Sequence, residues 1–167
     1  GKRIRPALIF LSAGAGNPVE QTLPPFVVKA ATAFELVHSA SLVHDDVIDV
    51  SDSRRGVATV NGRFGNTVAV LAGDILYAQS FLMLSGDVPI FRIILDVTKH
   101  MCMGEIHQMR AKQLTEELYF KIIDSKTARL MSASCEVGAI LSGSPPEAVQ
   151  ALRDFGRHFV PGVRQSS

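Results

Sequence analysis

Apolar residues recur along this chain at helical rather than strand spacing, and strictly alternating runs and hairpin dipeptides are few. Breakers divide the pattern into six segments. A short helix is expected over Pro6 to Ala13, stopped by Gly14-Ala15-Gly16-Asn17-Pro18. Thr22-Leu23-Pro24-Pro25 reads as the entrance to a long helix from about Phe26 to Asp49. A polar loop, Ser51 to Gly65, leads to a second long helix over Thr67 to Ser85, closed by Gly86-Asp87-Val88-Pro89. Further helices are expected over Phe91 to about Arg110, over Glu116 to Leu141 with a shift near Ser125, and over Ala148 to Phe159 after Gly143-Ser144-Pro145-Pro146-Glu147. The tail from Pro161 to Ser167 has no pattern, and no internal repeat is present. The fold class expected is therefore all-α, a bundle of long helices joined by short loops.

Composition sharpens this picture. The 167 residues are enough for one domain with a real core, and residues 1–167 are read as one. They are 47% hydrophobic and 20% charged, which excludes disorder and implies large buried surfaces, at a subunit interface or around a greasy cavity. Seventeen basic against sixteen acidic residues leave a net charge of +1, so no global field attracts nucleic acid. Cys102 and Cys135 lack metal-type spacing and read as buried thiols in a reducing compartment. No apolar run follows the charged start, so no signal peptide is expected. Asp74 and Gln79 interrupt the most apolar stretch, Thr67 to Leu84, and argue against a membrane span there.

The chemistry concentrates at the end of the second expected helix, in His44-Asp45-Asp46-Val47-Ile48-Asp49. Asp45 and Asp49 are four residues apart and share a helical face. Their charges repel each other and oppose the negative end of the helix dipole. Such a cluster costs stability unless a cation neutralises it, and oxygen donors with room for water suit Mg²⁺ shared with a phosphate. The plainer alternative is a solvated acidic helix end; the Ala/Val/Leu-rich helix below and the arginines that follow favour the metal. Arg54-Arg55-Gly56 could be salt-bridge partners, but arginine also grips phosphate oxygens through two N–H groups at once. Lys2 and Arg5 would share a face at the N-terminus, and Lys126 sits inside an expected helix. Carboxylates for Mg²⁺ beside cationic groups describe a diphosphate site, in which negative charge is drawn off a leaving group.

In order along the chain, Gly-Lys-Arg-Ile-Arg-Pro at 1–6, His-Asp-Asp-Val-Ile-Asp at 44–49, Arg54-Arg55-Gly56, Leu71-Ala72-Gly73-Asp74, Gly104-Glu105-Ile106-His107-Gln108 and Lys126-Thr127-Ala128 resemble the polyprenyl synthetase family, to about residue 160. The resemblance implies an isoprenoid synthase-type helical bundle around a central cavity. It implies an enzyme condensing isopentenyl diphosphate head-to-tail with an allylic diphosphate of farnesyl or geranyl type. Asp45 and Asp49, supported by Asp46, would bind Mg²⁺, and Arg54 would contact the allylic diphosphate. Lys2, Arg5, His38 and Arg55 would hold isopentenyl diphosphate. Lys126 and Thr127 would act at the leaving group, and Gln108 would point into the cavity. A cytoplasmic homodimer is also implied, with the lipophilic product passed to a membrane.

Product length can be argued from side-chain size. Ala40 and Ser41, one turn below Asp45, are small where a short-chain synthase of the family would carry a bulky aromatic. Phe34, roughly 16 Å below Asp45 at the helical rise, and Phe81 are candidate floors, or else ordinary core residues. A product longer than farnesyl diphosphate is therefore expected, and the motifs resemble the octaprenyl and solanesyl type most.

The family's second Asp-rich motif is not among these residues, which read Val160-Pro161-Gly162-Val163-Arg164-Gln165-Ser166-Ser167 where it would approach, and the family's first helix is likewise missing. A polypeptide limited to this sequence is expected to bind diphosphate weakly and turn over poorly. Two rivals remain at this stage. A non-catalytic subunit of a heteromeric prenyl synthase need not keep the aspartates and both arginines. A carboxylate-bridged di-metal bundle needs Glu-x-x-His pairs, whereas Glu105 and His107 are two apart.

Overall fold

The computed structural model describes residues 3–16 and 24–160. They form α1 (Ile4–Gly16), α2 (Pro25–Ile48), β1 (Ser53–Arg54), β2 (Val57–Ala58), α3 (Val60–Phe64), α4 (Asn66–Leu84), α5 (Val88–Arg110), α6 (Glu116–Ile123), a π-turn (Asp124–Ala128), α7 (Arg129–Leu141) and α8 (Pro146–His158). The all-α class is as expected, and the boundaries mostly fall within three residues of those read from the pattern.

α1 passes its expected stop and runs through Gly14. Glycine costs a helix about 1 kcal/mol relative to alanine, and tertiary packing overrides that preference here. Ile9, Ser12 and Ala13 of α1 press against Gly138 of α7, where an added Cβ would lie 2.4 Å from the Ile9 carbonyl oxygen.

α2 begins with Pro25 at its first position, where the missing N–H is no loss. Its Val27, Ala30, Ala31, Phe34 and Val37 are buried with Ile9, Leu84, Ile90, Ile94, Leu130 and Val137 in one core. The alanines let neighbouring helices approach closely, and Phe34 fills the centre. A second, smaller cluster of Leu8, Met131 and Cys135 seals α1 and α7 near α8. α8 docks on α7 at Gly156, whose added Cβ would be 2.6 Å from the Met131 carbonyl oxygen.

The expected polar loop between α2 and α4 is folded. Ser53 pairs with Ala58 and Arg54 with Val57 in a two-residue antiparallel hairpin. Arg55 and Gly56 at its tip both have positive φ, 54° and 79°, as a type I′ turn requires. A ladder this short leaves no alternating pattern to read. Thr59 caps α3, its Oγ1 accepting from the Gly62 N–H at 3.1 Å. Asn61 Nδ2 donates to the Ser51 carbonyl at 3.0 Å and ties this loop to the end of α2. The shift expected near Ser125 is the π-turn, a distortion common at functional sites.

α2 and α4 are long and apolar enough, by length and composition, to cross a bilayer. α2 is nonetheless a core helix here, and α4 lies along it with Val68, Leu71, Ile75 and Leu82 exposed on its outer face.

The α1–α7 contact generates a stability prediction. Gly138→Ala forces backbone apart and should destabilise the chain by about 1–3 kcal/mol, lowering its thermal midpoint by roughly 3–10 °C. Gly86→Ala, which meets open space, is the control in the same melting experiment and should leave the midpoint close to that of the unaltered chain.

Candidate active site

A cavity of about 310 Å³ opens where α1, α2, α4, α5 and the π-turn converge. Of the residues singled out in the sequence, Arg5, His38, Ser41, Asp45, Lys126 and Thr127 line it. Arg5 comes from α1, and His38, Ser41 and Asp45 come from successive turns of one α2 face. Lys126 and Thr127, adjacent in sequence, both reach the cavity from the π-turn.

Other expected residues stand elsewhere. Asp46 points away from the cavity and is buried under Arg54, whose Nε and Nη2 donate to its Oδ1 at 2.9 and 2.8 Å. Arg55 is exposed at the hairpin tip. Gln108 is also exposed, and its Oε1 accepts from Lys126 Nζ at 3.1 Å. Phe34 and Ala40 are wholly buried in α2 and do not line the cavity. On α2 the lining starts at His38, one turn above Phe34. Phe81 is half-buried and stacks on Tyr77, ring centres 6.1 Å apart, while Phe91 meets it edge-on at 6.3 Å. Lys2 lies outside the described residues.

Among the lining residues that were not anticipated as parts of this site, three carry chemistry. Tyr77 brings the aromatic column of Tyr77, Phe81 and Phe91 to the cavity wall. Its four-residue spacing from Phe81 was a usable signal. Cys102, expected to be buried, is an exposed residue on the same wall, and partial desolvation pushes its thiol up. Glu105, part of the motif at 104–108 but given no role in it, forms an ion pair with Lys126.

Two glycines set these contacts. At Gly73, an added Cβ would lie 2.1 Å from His44 Nε2, so the imidazole occupies the space a side chain would take. That ring meets the Val70 carbonyl at 3.0 Å and tilts against Tyr77. At Gly104, an added Cβ would lie 2.9 Å from both Lys126 Cγ and Ser125 Cβ. The π-turn reaches α5 only because that position is bare.

The electrostatics follow from burial with partial compensation. Asp45 is pushed up to about 6, chiefly by burial; Lys126 opposes the shift, and the like charges of Glu105 and Asp49 add to it. His38 is pushed down to about 4 by burial and by the neighbouring charges of Arg5 and Arg54, so it is neutral at pH 7. Burial also lowers Arg5 against the pull of Glu35, and its Nε is buried without a hydrogen-bond partner. A buried guanidinium with a spare donor on a cavity suits an anionic ligand.

Among the described residues, no group of three or more His, Cys, Asp or Glu side chains forms a ready-made metal centre. The diversion of Asp46 to Arg54 removes the third carboxylate. Asp45 lines the cavity, whereas Asp49, one turn on at the end of α2, is exposed and is not among the lining residues; its like charge acts on Asp45 from there. Two hard oxygen donors of this kind fit a divalent ion that completes its shell with water and phosphate, and do not fit an all-protein cage.

The two perturbed groups give a pH prediction with opposite signs. The folded state resists protonating His38, so stability is lost as pH falls from 6.5 towards 4, by on the order of 1 kcal/mol once partial exposure is discounted. The folded state protonates Asp45 more readily than the unfolded chain does, so stability is gained as pH falls through 6 towards 4. In metal-free denaturant titrations from pH 7 to pH 4, His38→Gln should gain on the unaltered chain as pH falls. Asp45→Asn should start ahead at pH 7 and lose that lead by pH 4.

The sequence model of the polyprenyl synthetase family matches residues 1–160. An octaprenyl diphosphate synthase of Escherichia coli is 39% identical over 95% of this chain and 50% of its own length. A geranylgeranyl diphosphate synthase of Methanosarcina mazei is 36% identical over 94% of the chain and 50% of its own. Among solved structures, a decaprenyl diphosphate synthase from Rhodobacter capsulatus superposes with a TM-score of 0.88 at 39% identity, over 94% of this chain and 49% of that one. The chain thus spans about half the length of the relatives it matches. With the helical bundle, the cavity and the ordered motifs agreeing over 160 residues, the chain belongs to the polyprenyl synthetase family.

Proposed function

We propose that the protein to which this chain belongs is a Mg²⁺-dependent prenyltransferase that condenses isopentenyl diphosphate with an allylic diphosphate to give a long all-trans polyprenyl diphosphate. One observation carries the reading. One cavity is lined by charged Arg5, Lys126 and Asp45, which suit an anion and its counter-ion at one end of a ligand, and by Tyr77, Met101, Ile106 and Met109, which suit a hydrocarbon at the other. A prenyl diphosphate has the same two ends.

In this reading Asp45 and Asp49 would hold the ion, which when bound would supply positive charge to the diphosphate. Lys126 and Thr127 contact the leaving diphosphate oxygens as the allylic C–O bond breaks. Arg5 offers its unpartnered Nε to the second diphosphate. His38 donates from a neutral ring, and a bound diphosphate would draw its pKa back up. The isopentenyl double bond attacks the allylic carbon, and a proton leaves to diphosphate. Arg54 neutralises Asp46 and pins the loop behind the site; it would have to leave that pair to reach a substrate. Arg55 and Lys2 stay assigned to isopentenyl diphosphate, and Gln108 to Lys126.

Ser41 hands its hydroxyl to the His38 carbonyl at 2.8 Å and leaves room beside it for a chain. Relatives named for geranylgeranyl and for octaprenyl products are nearly equally similar, so length rests on side-chain volume. Beyond Ser41 the wall is Tyr77, backed by Phe81. Phe34 and Ala40 shape it from the core behind. The protein is read as a cytoplasmic homodimer, with the exposed apolar stripe of α4 the face available to a second copy. It hands its product to a membrane.

The test uses the full-length parent protein with Mg²⁺, farnesyl diphosphate and labelled isopentenyl diphosphate. Products longer than farnesyl are expected, and Asp45→Ala should lower their formation by roughly a hundredfold or more. Ser41→Phe should shorten the product on chromatography while incorporation continues. Absence of incorporation by the unaltered parent would refute the reading.

A further inference from the structure

Lys126 and Asp45 line one cavity with opposite charges, and Lys126 is the strongest opposing charge on the Asp45 carboxylate. An ammonium on a flexible four-carbon stem readily swings onto a nearby carboxylate. If it did so here, the carboxylate would be neutralised before a cation arrived. The structure has a different arrangement. Lys126 pairs with Glu105 and donates to Gln108 Oε1 at 3.1 Å. These two residues are three apart on α5 and so share its face. Glu105 is 8% exposed, so its carboxylate works in low dielectric and competes strongly for the ammonium. Gly104, beside it, leaves the gap through which the Lys126 stem crosses α5.

We propose that Glu105 is a positioning residue that holds the Lys126 ammonium off Asp45, keeping the cation-binding carboxylate of the cavity available. The proposal rests on the prenyltransferase reading above, which supplies the divalent cation and the diphosphate. A buried ion pair contributes little stability relative to an apolar replacement. The pair therefore earns its place by fixing where Lys126 stands. Two plainer roles compete: Glu105 as an ordinary structural partner, and Glu105 as a direct ligand of the cation.

A double-mutant cycle separates them, read as Mn²⁺ affinity by electron paramagnetic resonance, on this chain and on the full-length parent without substrate. Glu105→Gln keeps the shape and frees Lys126 to neutralise Asp45, and should weaken Mn²⁺ binding roughly tenfold. With Lys126→Met already present, the same change should matter less than about twofold. Gln108→Met, which removes only the second holder, should weaken binding in the same direction by a smaller factor. It carries the test alone if Glu105→Gln does not fold, and an unchanged affinity there overturns the proposal. Equal losses with and without Lys126 overturn it in favour of a direct ligand. No loss in either background overturns it in favour of a structural pair. In either case prenyl transfer by the unaltered parent leaves the functional reading intact. A parent that neither binds Mn²⁺ nor transfers prenyl groups overturns both.

Discussion

The structure depends on α2 serving as core and as cavity wall at once. Val27, Ala30, Ala31, Phe34, Val37 and Ala40 of this helix are buried, and fully burying side chains of valine or phenylalanine size contributes about 1.5–3 kcal/mol each. That burial holds the last turns rigid, where Asp45 and Asp49 repel each other and the helix dipole disfavours both. A solvent-exposed helix would fray there. Anchored by that burial, the helix holds a half-buried Asp45 one turn from an exposed Asp49, an arrangement that a cation would relieve.

Its neighbours are set by close approach at small residues. His44 fits against α4 because Gly73 has no side chain, and the π-turn fits against α5 because Gly104 has none. These contacts also fix cavity-lining groups: the imidazole next to Asp45 in the first case, the Lys126 stem in the second. Packing and chemistry are thus the same contacts seen at different ends of a side chain. The π-turn adds one more degree of control, since the altered helical phase lets Lys126 and Thr127 both line the cavity.

Charge is divided between cavity and support. Asp46 looks in sequence like a third metal carboxylate, yet it is paired with Arg54 and holds the hairpin loop to the end of α2. A helix presents residues 45 and 49 on one face and residue 46 about 100° away. The face bearing Asp45 opens on the cavity, and the face bearing Asp46 meets the loop. Two short-range pairs, Asp46 with Arg54 and Glu105 with Lys126, thereby leave Asp45 without a direct partner, and its pKa is raised chiefly by burial, with the like charges of Glu105 and Asp49 adding to it.

Local rules were enough for much of this. Helical periodicity and Pro/Gly breakers located the long helices, because both act within a few residues of the chain. The four-residue spacing of Asp45 and Asp49, the shift near Ser125 and the small side chain of Ser41 were legible for the same reason. Other features belong to contacts between segments far apart in sequence. The close approach of Ile9, Ser12 and Ala13 of α1 depends on Gly138, more than a hundred residues later. Whether Asp46 faces a cation or an arginine depends on a hairpin too short to have a pattern. Whether Phe34 ends a tunnel or fills the core depends on Ile90, Ile94 and Leu130 closing over it. Glu105 acquires its partner only when α5 and the π-turn meet. The sequence alone determined which helices form and where the charges cluster, since propensity and spacing are local. The tertiary structure alone decided which charge faces which, because that is set by the packing of helices whose contacts no local pattern encodes.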